Sequence, residues 1–165
     1  MDLYLMQHGE ALPEEADPQR ALSGVGEQQA LAAVAALACL GVELDRILSS
    51  PKKRAHQTAQ AVAKALCLPS ERIATMTALA PLTPPEETVE ALKALGESAS
   101  ILLAGHLPSL AEVAAYLMDC QRRIAFRMGG VGCIEVERWG RGGGRLLWYL
   151  TPEQIQRIAA MQPSA

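Results

Sequence analysis

Short runs rich in apolar residues alternate along this chain with longer stretches of helical periodicity. Four such runs predict strands, at residues 3–6, 45–49, 73–76 and 100–105. The stretches between and after them predict helices that begin near Gly24, at Pro51, at Pro84 and after His106. The first and fourth runs are apolar throughout most of their length, which is typical of buried parallel strands. Strands that alternate with helices in this way predict an α/β domain.

Residues with capping preferences mark the boundaries of the predicted helices. Ser23 is placed to cap the first helix, and Gly41 is placed to end it. The periodicity predicts an inward apolar face for this helix, made of Ala30, Leu31, Val34, Leu37 and Ala38. Ser50 is predicted to cap the second helix, with Pro51 at its first position.

The last third of the chain has a different pattern. Residues 133–137 alternate apolar with charged side chains, residues 140–144 are rich in glycine, and residues 146–150 are again apolar, which together predict a hairpin. A capping box at residues 151–154 then predicts a C-terminal helix. The predicted fold is α/β, a single-domain three-layer αβα arrangement over residues 1–165, with a mostly parallel sheet and a C-terminal hairpin.

Composition narrows the classes of partner and compartment. The chain has 165 residues, a formal net charge of −3 and six aromatic residues without a basic run, which argues against a nucleic-acid partner. It has no uninterrupted apolar stretch of membrane-spanning length, and its start lacks the basic segment of a signal peptide, so we expect no membrane association. The four cysteines show no C-x-x-C spacing, which favours reduced thiols and a cytoplasmic location.

Two histidines follow the two most apolar strands. His8 comes directly after the first strand and precedes Gly9, and His106 follows the strand at residues 100–105. Because ligands of open α/β sheets gather at the carboxyl ends of the strands, we expect both imidazoles in one site. Neutral imidazole is a good nucleophile near pH 7, and a glycine after it lets a backbone approach a phosphate closely.

Cations for such a phosphate site are available at the start of the second predicted helix. The segment Ser49-Ser50-Pro51-Lys52-Lys53-Arg54-Ala55-His56-Gln57-Thr58 places Arg54 in the first helical turn. That end of a helix also presents free N–H groups and the positive end of the dipole. His56 lies two positions after Arg54, and we expect it to point to another side of the helix, at the surface.

Four segments in this order carry a family resemblance, namely L-Y-L-M-Q-H-G, R-A-L-S-x-x-G, L-S-S-P-x-x-R-A-x-Q-T-A and A-G-H-L-P. They resemble the histidine phosphatase (phosphoglycerate mutase-like) superfamily. The short length and the G-H-L-P form are most similar to its SixA-type phosphohistidine phosphatases. The resemblance implies a phosphohistidine intermediate on His8, with Arg54 and His106 as catalytic partners that hold the phosphate. Gln7, Gly9 and Arg20 are the further candidates for phosphate binding.

The same resemblance implies a reaction without metal or other cofactor. Its implied partners are phosphorylated proteins, in particular histidine phosphotransfer domains, or a small phosphorylated molecule. It also implies a site without the acidic residue that larger relatives use. A phosphoramidate leaving group is itself basic and needs little help from an acid, so phosphohistidine suits such a site.

Gln7 departs from the family motif, in which an arginine precedes the histidine. An arginine would give the phosphoryl group a charged, bidentate contact, whereas Gln7 offers only a neutral amide. A lost hydrogen bond to a charged group is worth about 1.5–3 kcal/mol, and Lys52, Lys53 or Arg20 are the candidates to restore the charge. The prediction is therefore a phosphatase, with a catalytically impaired phosphate- or phosphoprotein-binding module as the alternative.

Overall fold

A computed structural model of the chain describes residues 1–96 and 98–161, so the predicted domain of residues 1–165 includes five positions outside the described part. Six strands lie in that part: β1 (Asp2–Gln7), β2 (Arg46–Ser49), β3 (Ile73–Thr75), β4 (Ser100–Gly105), β5 (Val131–Val136) and β6 (Gly144–Leu150). The helices are α1 (Gly24–Cys39), α2 (Lys53–Ala65), α3 (Pro85–Lys93), α4 (Ser109–Leu117) and α5 (Pro152–Ala160). Two 3₁₀ turns, Ser70–Arg72 and Thr77–Leu79, flank β3.

The strands form one sheet with the order β3-β2-β4-β1-β5-β6. The first four neighbours in this order pair in parallel, whereas β5 runs antiparallel to β1 and forms a hairpin with β6. The mostly parallel sheet and the C-terminal hairpin are thus confirmed. Tyr4 and Met6 face a core shared with α1, α2 and α5, and Leu3 and Leu5 face a second core shared with α3 and α4. Helices therefore cover both faces of the sheet, and the three-layer αβα prediction is confirmed.

The caps at the two ends of the fold follow the sequence prediction. The Ser23 side chain accepts a hydrogen bond from the Gly26 amide at the start of α1, and Gly41 follows the helix with φ +68°. Thr151 and Gln154 form the predicted capping box of α5.

Two local predictions were wrong. Helix α2 begins at Lys53 rather than Pro51, and its N-cap is Lys52, with no side-chain cap. The Ser50 hydroxyl instead contacts His106 and accepts from the Lys52 amide. On α1, Leu31 is 45% exposed and Ala38 is exposed, whereas Ala33 and Ala36 are buried. Small apolar residues occur all around this helix, so tertiary packing against α2 and α5 decides which of them face inward.

Sheet pairing brings the predicted site together. Gln7 at the end of β1 lies opposite Gly105 at the end of β4, and the His8 amide donates to the Gly105 carbonyl at 3.1 Å. Strand β2 pairs with the other side of β4, and the Ser50 amide donates to the Ala104 carbonyl at 2.9 Å. The carboxyl ends of three neighbouring strands therefore deliver His8, His106 and the start of α2 to one edge of the sheet.

No helix in residues 1–96 and 98–161 is both long and apolar enough to cross a membrane. The four cysteines all lie in the described part and are free thiols; Cys133 is buried and the other three are exposed.

Candidate active site

His8 and Arg54 are in direct contact. The Nδ1 atom of His8 lies 2.7 Å from the carbonyl oxygen of Gly9, which can only accept, so Nδ1 carries the proton. The other ring nitrogen, Nε2, accepts a hydrogen bond from Nε of Arg54 at 3.0 Å. Both contacts select one neutral tautomer of His8, in which the Nε2 lone pair points at the guanidinium. The nucleophilic nitrogen of His8 and the guanidinium cation of Arg54 are thus in direct contact.

His106 lies beside His8 and is held by Ser50. The two imidazole rings have centroids 5.0 Å apart at an interplanar angle of 60°. The Nε2 atom of His106 is 2.8 Å from the Ser50 hydroxyl, which also accepts a hydrogen bond from the Lys52 amide at 3.3 Å. Within the described residues, Nδ1 of His106 is buried without a hydrogen-bond partner. A buried polar atom of this kind needs a partner, and an entering ligand can supply one.

Burial keeps His8 neutral. The residue is 8% exposed, and desolvation lowers its pKa below the usual value, although the bond to the Gly9 carbonyl opposes this shift. The positive charges of Arg54 and Arg20 lower the pKa further. A neutral His8 retains the Nε2 lone pair that nucleophilic attack requires.

His106 is held neutral more strongly. It is 3% exposed, and desolvation is the largest cause that lowers its pKa to about 3. Repulsion from a proton on His8, when His8 carries one, and from the charges of Arg54 and Lys52 follows. The Arg54 guanidinium is itself partly desolvated, and its pKa is lowered by burial and by Arg20. The site therefore combines two neutral imidazoles with a surrounding set of cations.

Arg20 reaches this site from the loop between β1 and α1. Its backbone has φ +51°, and the loop is folded around Asp17, whose carboxylate accepts from the amides of Gln19 and Ala21. The same carboxylate forms a 3.0 Å ion pair with Lys53 on α2. Arg20 is exposed, its Nε donates to the Leu12 carbonyl at 3.4 Å, and it lines the same pocket as Arg54.

Gln7 lies next to the histidine pair but lines a different cleft. This cleft of about 410 Å³ is bordered by Gln7, Gln29, Leu107, Arg127 and Met128, among others. Within the described part of the chain, the Gln7 side-chain oxygen is buried without a hydrogen-bond partner. The motif position occupied by arginine in the family thus carries a neutral amide at the boundary between the cleft and the histidine pair.

Gly9 has a structural role that differs from the predicted approach to phosphate. Its amide donates to the Thr58 hydroxyl at 3.2 Å, and Thr58 in turn donates to the Arg54 carbonyl at 2.8 Å. A Cβ atom on Gly9 would lie only 2.8 Å from Cα of Gly26. Gly9 therefore lets β1 pack closely on α1, while its amide ties the His8 segment to the helix that carries Arg54.

His56 does not lie on the open surface as predicted. It is half-buried, and its Nδ1 atom is 3.3 Å from the Ser49 hydroxyl. It also lines the pocket that contains Arg54 and Arg20.

Sequence reasoning missed the supporting residues Ser50 and Thr58. Both are fully buried, and each holds a predicted site residue through its hydroxyl. Their positions within the S-S-P-x-x-R-A-x-Q-T segment were a usable signal, because buried hydroxyls need partners. Ser50 was instead predicted to be a helix cap. No group of three or more His, Cys, Asp or Glu side chains in the described residues is arranged to hold a metal ion.

Comparison with known proteins supports the resemblance seen in the motifs. Residues 3–78 match the profile of the Histidine phosphatase superfamily (branch 1). Phosphohistidine phosphatase SixA of Escherichia coli (strain K12) is 27% identical over 164 residues, which cover 98% of this chain and 100% of that protein. The chain is thus similar to the histidine phosphatase superfamily through the profile over residues 3–78, and to SixA over nearly its whole length. The resemblance seen in its motifs is thereby confirmed.

Solved structures of the superfamily share the fold. The protein histidine phosphatase SixA complexed with tungstate is 27% identical with a TM-score of 0.83, covering 94% of this chain and 99% of that chain. A phosphoserine phosphatase mutant from Entamoeba histolytica in complex with phosphoserine has 14% identity and a TM-score of 0.70, covering 93% and 98%. This second likeness shows the fold alone. Of the histidine phosphatase motif residues, His8, Arg20 and Arg54 lie inside the segment that matches the profile, and His106 lies beyond it.

Proposed function

We propose that this chain is a phosphatase that acts through a phosphohistidine intermediate on His8. Its substrate is phosphohistidine in a phosphotransfer protein, or a small phosphate ester. The observation that carries the proposal is the contact between Nε2 of His8 and Nε of Arg54, because it joins a fixed nucleophile to a cation that can bind phosphoryl oxygens. The similarity to SixA over nearly the whole chain supports the same class of reaction.

In the first step, the Nε2 lone pair of His8 attacks phosphorus as the bond from phosphorus to the leaving nitrogen or oxygen breaks. The leaving group takes its proton from water. The Arg54 N–H groups then donate to the phosphoryl oxygens instead of to Nε2 of His8. His106 donates to the same oxygens from Nδ1, the nitrogen that lacks a partner among the described residues. In the second step, water attacks phosphorus as the bond from phosphorus to Nε2 breaks, so that inorganic phosphate leaves and Nε2 recovers its lone pair. The proton lost by this water neutralises the hydroxide that the first step left in solvent. The Nδ1 proton of His8 stays on Nδ1 and is donated to the Gly9 carbonyl throughout.

Arg20 supplies the charge that Gln7 lacks in this proposal. Arg20 and Arg54 line one pocket, which supports a position of Arg20 within reach of the phosphoryl group. Gln7 contributes a neutral amide only, and Gly9 acts by holding the His8 segment rather than through its own occupied amide. The four free cysteines fit a reducing compartment, so we propose a cytoplasmic location.

A second candidate follows from Gln7 itself. With a neutral side chain at the position of the motif arginine, the site would bind a phosphorylated protein and turn it over slowly or not at all. An arginine finger, which is a cation that stabilises transition-state charge, raises the rate about 10³- to 10⁵-fold, so the loss of such a cation can lower the rate by as much. The two candidates differ in turnover and share the same binding residues.

The test is phosphate release from a histidine-phosphorylated phosphotransfer domain. We expect release by the native chain, none by His8→Ala, and normal release by the control Gln60→Ala, at an exposed position of α2. A phosphorylated His8 should be detectable by mass spectrometry after rapid acid-free quenching. Release by Gln7→Arg but not by the native chain would instead favour the binding module. Release that persists in His8→Ala would refute the proposed nucleophile.

A further inference from the structure

Arg20 combines an unusual backbone conformation with a side chain that is anchored at one end only. Its φ of +51° lies in the left-handed region, which a bulky residue occupies only where the surrounding structure imposes it. Its Nε atom donates to the Leu12 carbonyl at 3.4 Å. Within the described part of the chain, its two terminal nitrogens have no hydrogen-bond partner and no carboxylate within 4.0 Å. The outer end of the guanidinium is therefore available for a bidentate contact with an anion.

Asp17 imposes this backbone conformation on Arg20. The Asp17 carboxylate accepts from the amides of Gln19 at 3.0 Å and Ala21 at 2.9 Å, the residues on either side of Arg20. The Asp17 carbonyl oxygen accepts from the amide of Arg20 itself at 2.7 Å. Three consecutive amides thus bind one residue, and an aspartate that bonds the amides after it folds the chain into a tight turn.

Helix α2 holds this turn at two points, one on each side of Arg20. Lys53 forms the 3.0 Å ion pair with the Asp17 carboxylate, and Oε1 of Gln57 accepts from the Leu22 amide at 2.8 Å. Lys53 and Gln57 are four positions apart, so they lie on one face of the helix. The same helix carries the guanidinium that contacts the nucleophile. The turn and the reactive centre therefore share one support.

We propose that Asp17 is a positioning residue for phosphate binding, which acts by holding Arg20 at the pocket that Arg54 also lines. The inference rests on the proposed function, in which Arg20 contacts the phosphoryl group. A carboxylate near an anion site has a direct effect that is repulsive, and it also neutralises Lys53. Its effect through Arg20 is favourable, because the guanidinium is in place before phosphate arrives. These two effects have opposite signs, so removal of the carboxylate distinguishes them.

Asp17→Ala is the test of this role, and Glu15→Ala is the matched control. Glu15 is exposed on the same loop, and its carboxylate forms no ion pair with any described residue. The two substitutions change the net charge of the chain equally. The first readout is the affinity for inorganic phosphate by isothermal titration calorimetry, which needs no turnover. The second is kcat/KM for phosphate release from a histidine-phosphorylated phosphotransfer domain.

We expect Asp17→Ala to lower both the phosphate affinity and kcat/KM about fivefold to tenfold, and Glu15→Ala to change them by less than about twofold. Asp17→Asn should recover most of the loss, because its amide oxygen can still accept from an amide of the turn although the charge is gone. Tighter phosphate binding by Asp17→Ala would show that the direct electrostatic effect dominates, and would overturn the inference. Equal effects of Asp17→Ala and Glu15→Ala would overturn it as well.

A double-mutant cycle determines whether Asp17 acts through Arg20. In the Arg20→Gln background, Asp17→Ala should change the phosphate affinity by less than about twofold, because the group that it positions is already absent. Additive losses in the double variant would mean that Asp17 acts by another route, against the inference. If the native chain binds phosphate but releases none from the phosphorylated domain, the proposed function fails, and the cycle in phosphate affinity still decides on Asp17. Native release that Asp17→Ala leaves unchanged would reject the role of Asp17 and leave the proposed function intact.

Discussion

The hydroxyl oxygen of Ser50 lies 2.8 Å from Nε2 of His106, and both residues are buried. The hydroxyl also accepts from the Lys52 amide, so its own proton is available to Nε2. This donation places the proton of neutral His106 on Nδ1. In this tautomer the unpartnered Nδ1 of His106 carries a proton, so it can donate a hydrogen bond to a bound anion. Ser50 thus acts through His106, as a positioning residue.

We expect Ser50→Ala to lower kcat/KM for phosphate release about tenfold, because His106 loses the contact that selects its tautomer and leaves Nε2 unpaired. Ser49→Ala is the matched control: Ser49 is equally buried, and its hydroxyl contacts His56 instead. Steady-state kinetics and denaturant unfolding of both variants separate catalysis from stability. Equal losses of activity in the two variants would show that Ser50 has only a structural role.

Arg54 should not be replaceable by lysine. Arg54→Lys keeps the charge but loses the Nε donor and the planar fork, so kcat/KM should fall about 10- to 100-fold, and Arg54→Gln should cost about 10³-fold or more. Single-turnover formation of phospho-His8 measures the affected step directly. Arg72→Lys, at the opposite end of β3, serves as the control. If the activity of Arg54→Gln were within threefold of native, Arg54 would have no catalytic role.

Gly9→Ala should destabilise the fold by about 1–3 kcal/mol, since its Cβ would overlap the backbone of Gly26 and neither helix nor strand can move aside freely. Gly24→Ala, which has no atom within 4 Å of the added carbon, should change the free energy of unfolding by less than about 1 kcal/mol. Urea unfolding followed by circular dichroism compares the two. A Gly9→Ala variant as stable as native would mean that the close approach is not required.

The stability of the protein should fall between pH 7 and pH 5. His106 has a pKa of about 3 in the folded state and about 6.5 when unfolded, so below pH 6.5 the unfolded chain binds a proton that the folded chain does not. This contribution is complete above pH 6.5 and is lost as the pH falls towards 3. The loss of stability between pH 7 and pH 5 is about 2 kcal/mol for His106 alone, and His8 adds to the loss because its pKa is also lowered.

Urea unfolding at pH 7 and pH 5 measures this loss. In His106→Gln the decrease between the two pH values should be smaller by about 2 kcal/mol, whatever the absolute stability of the variant. The same decrease in the native chain and in His106→Gln would show that another group is responsible. Because both histidines stay neutral, we also expect phosphate release to persist below pH 6.5 for as long as the protein is folded.

Local signals in the sequence were sufficient for much of the fold. The alternation of apolar runs with helical periodicity, the Ser23 cap, the residues 151–154 capping box and the hairpin all reflect preferences of a few adjacent residues, and the structure confirms them. The positions of His8 and His106 at strand ends followed from the same local reasoning. Their closeness was an inference from the general rule for parallel sheets rather than from any local pattern.

What only the tertiary structure decided depends on contacts between distant parts of the chain. The pairing of β1 with β4 joins residues about a hundred positions apart and sets His8 beside His106. The contact of Ser50 with His106 gives its hydroxyl a role in the site rather than at a helix cap, and the contact between Gly9 and Gly26 gives Gly9 a packing role. The sequence places Ser50 and Gly9 in the chain, but the Ser50 hydroxyl and the small size of Gly9 become functional only when folding brings their partners within contact distance.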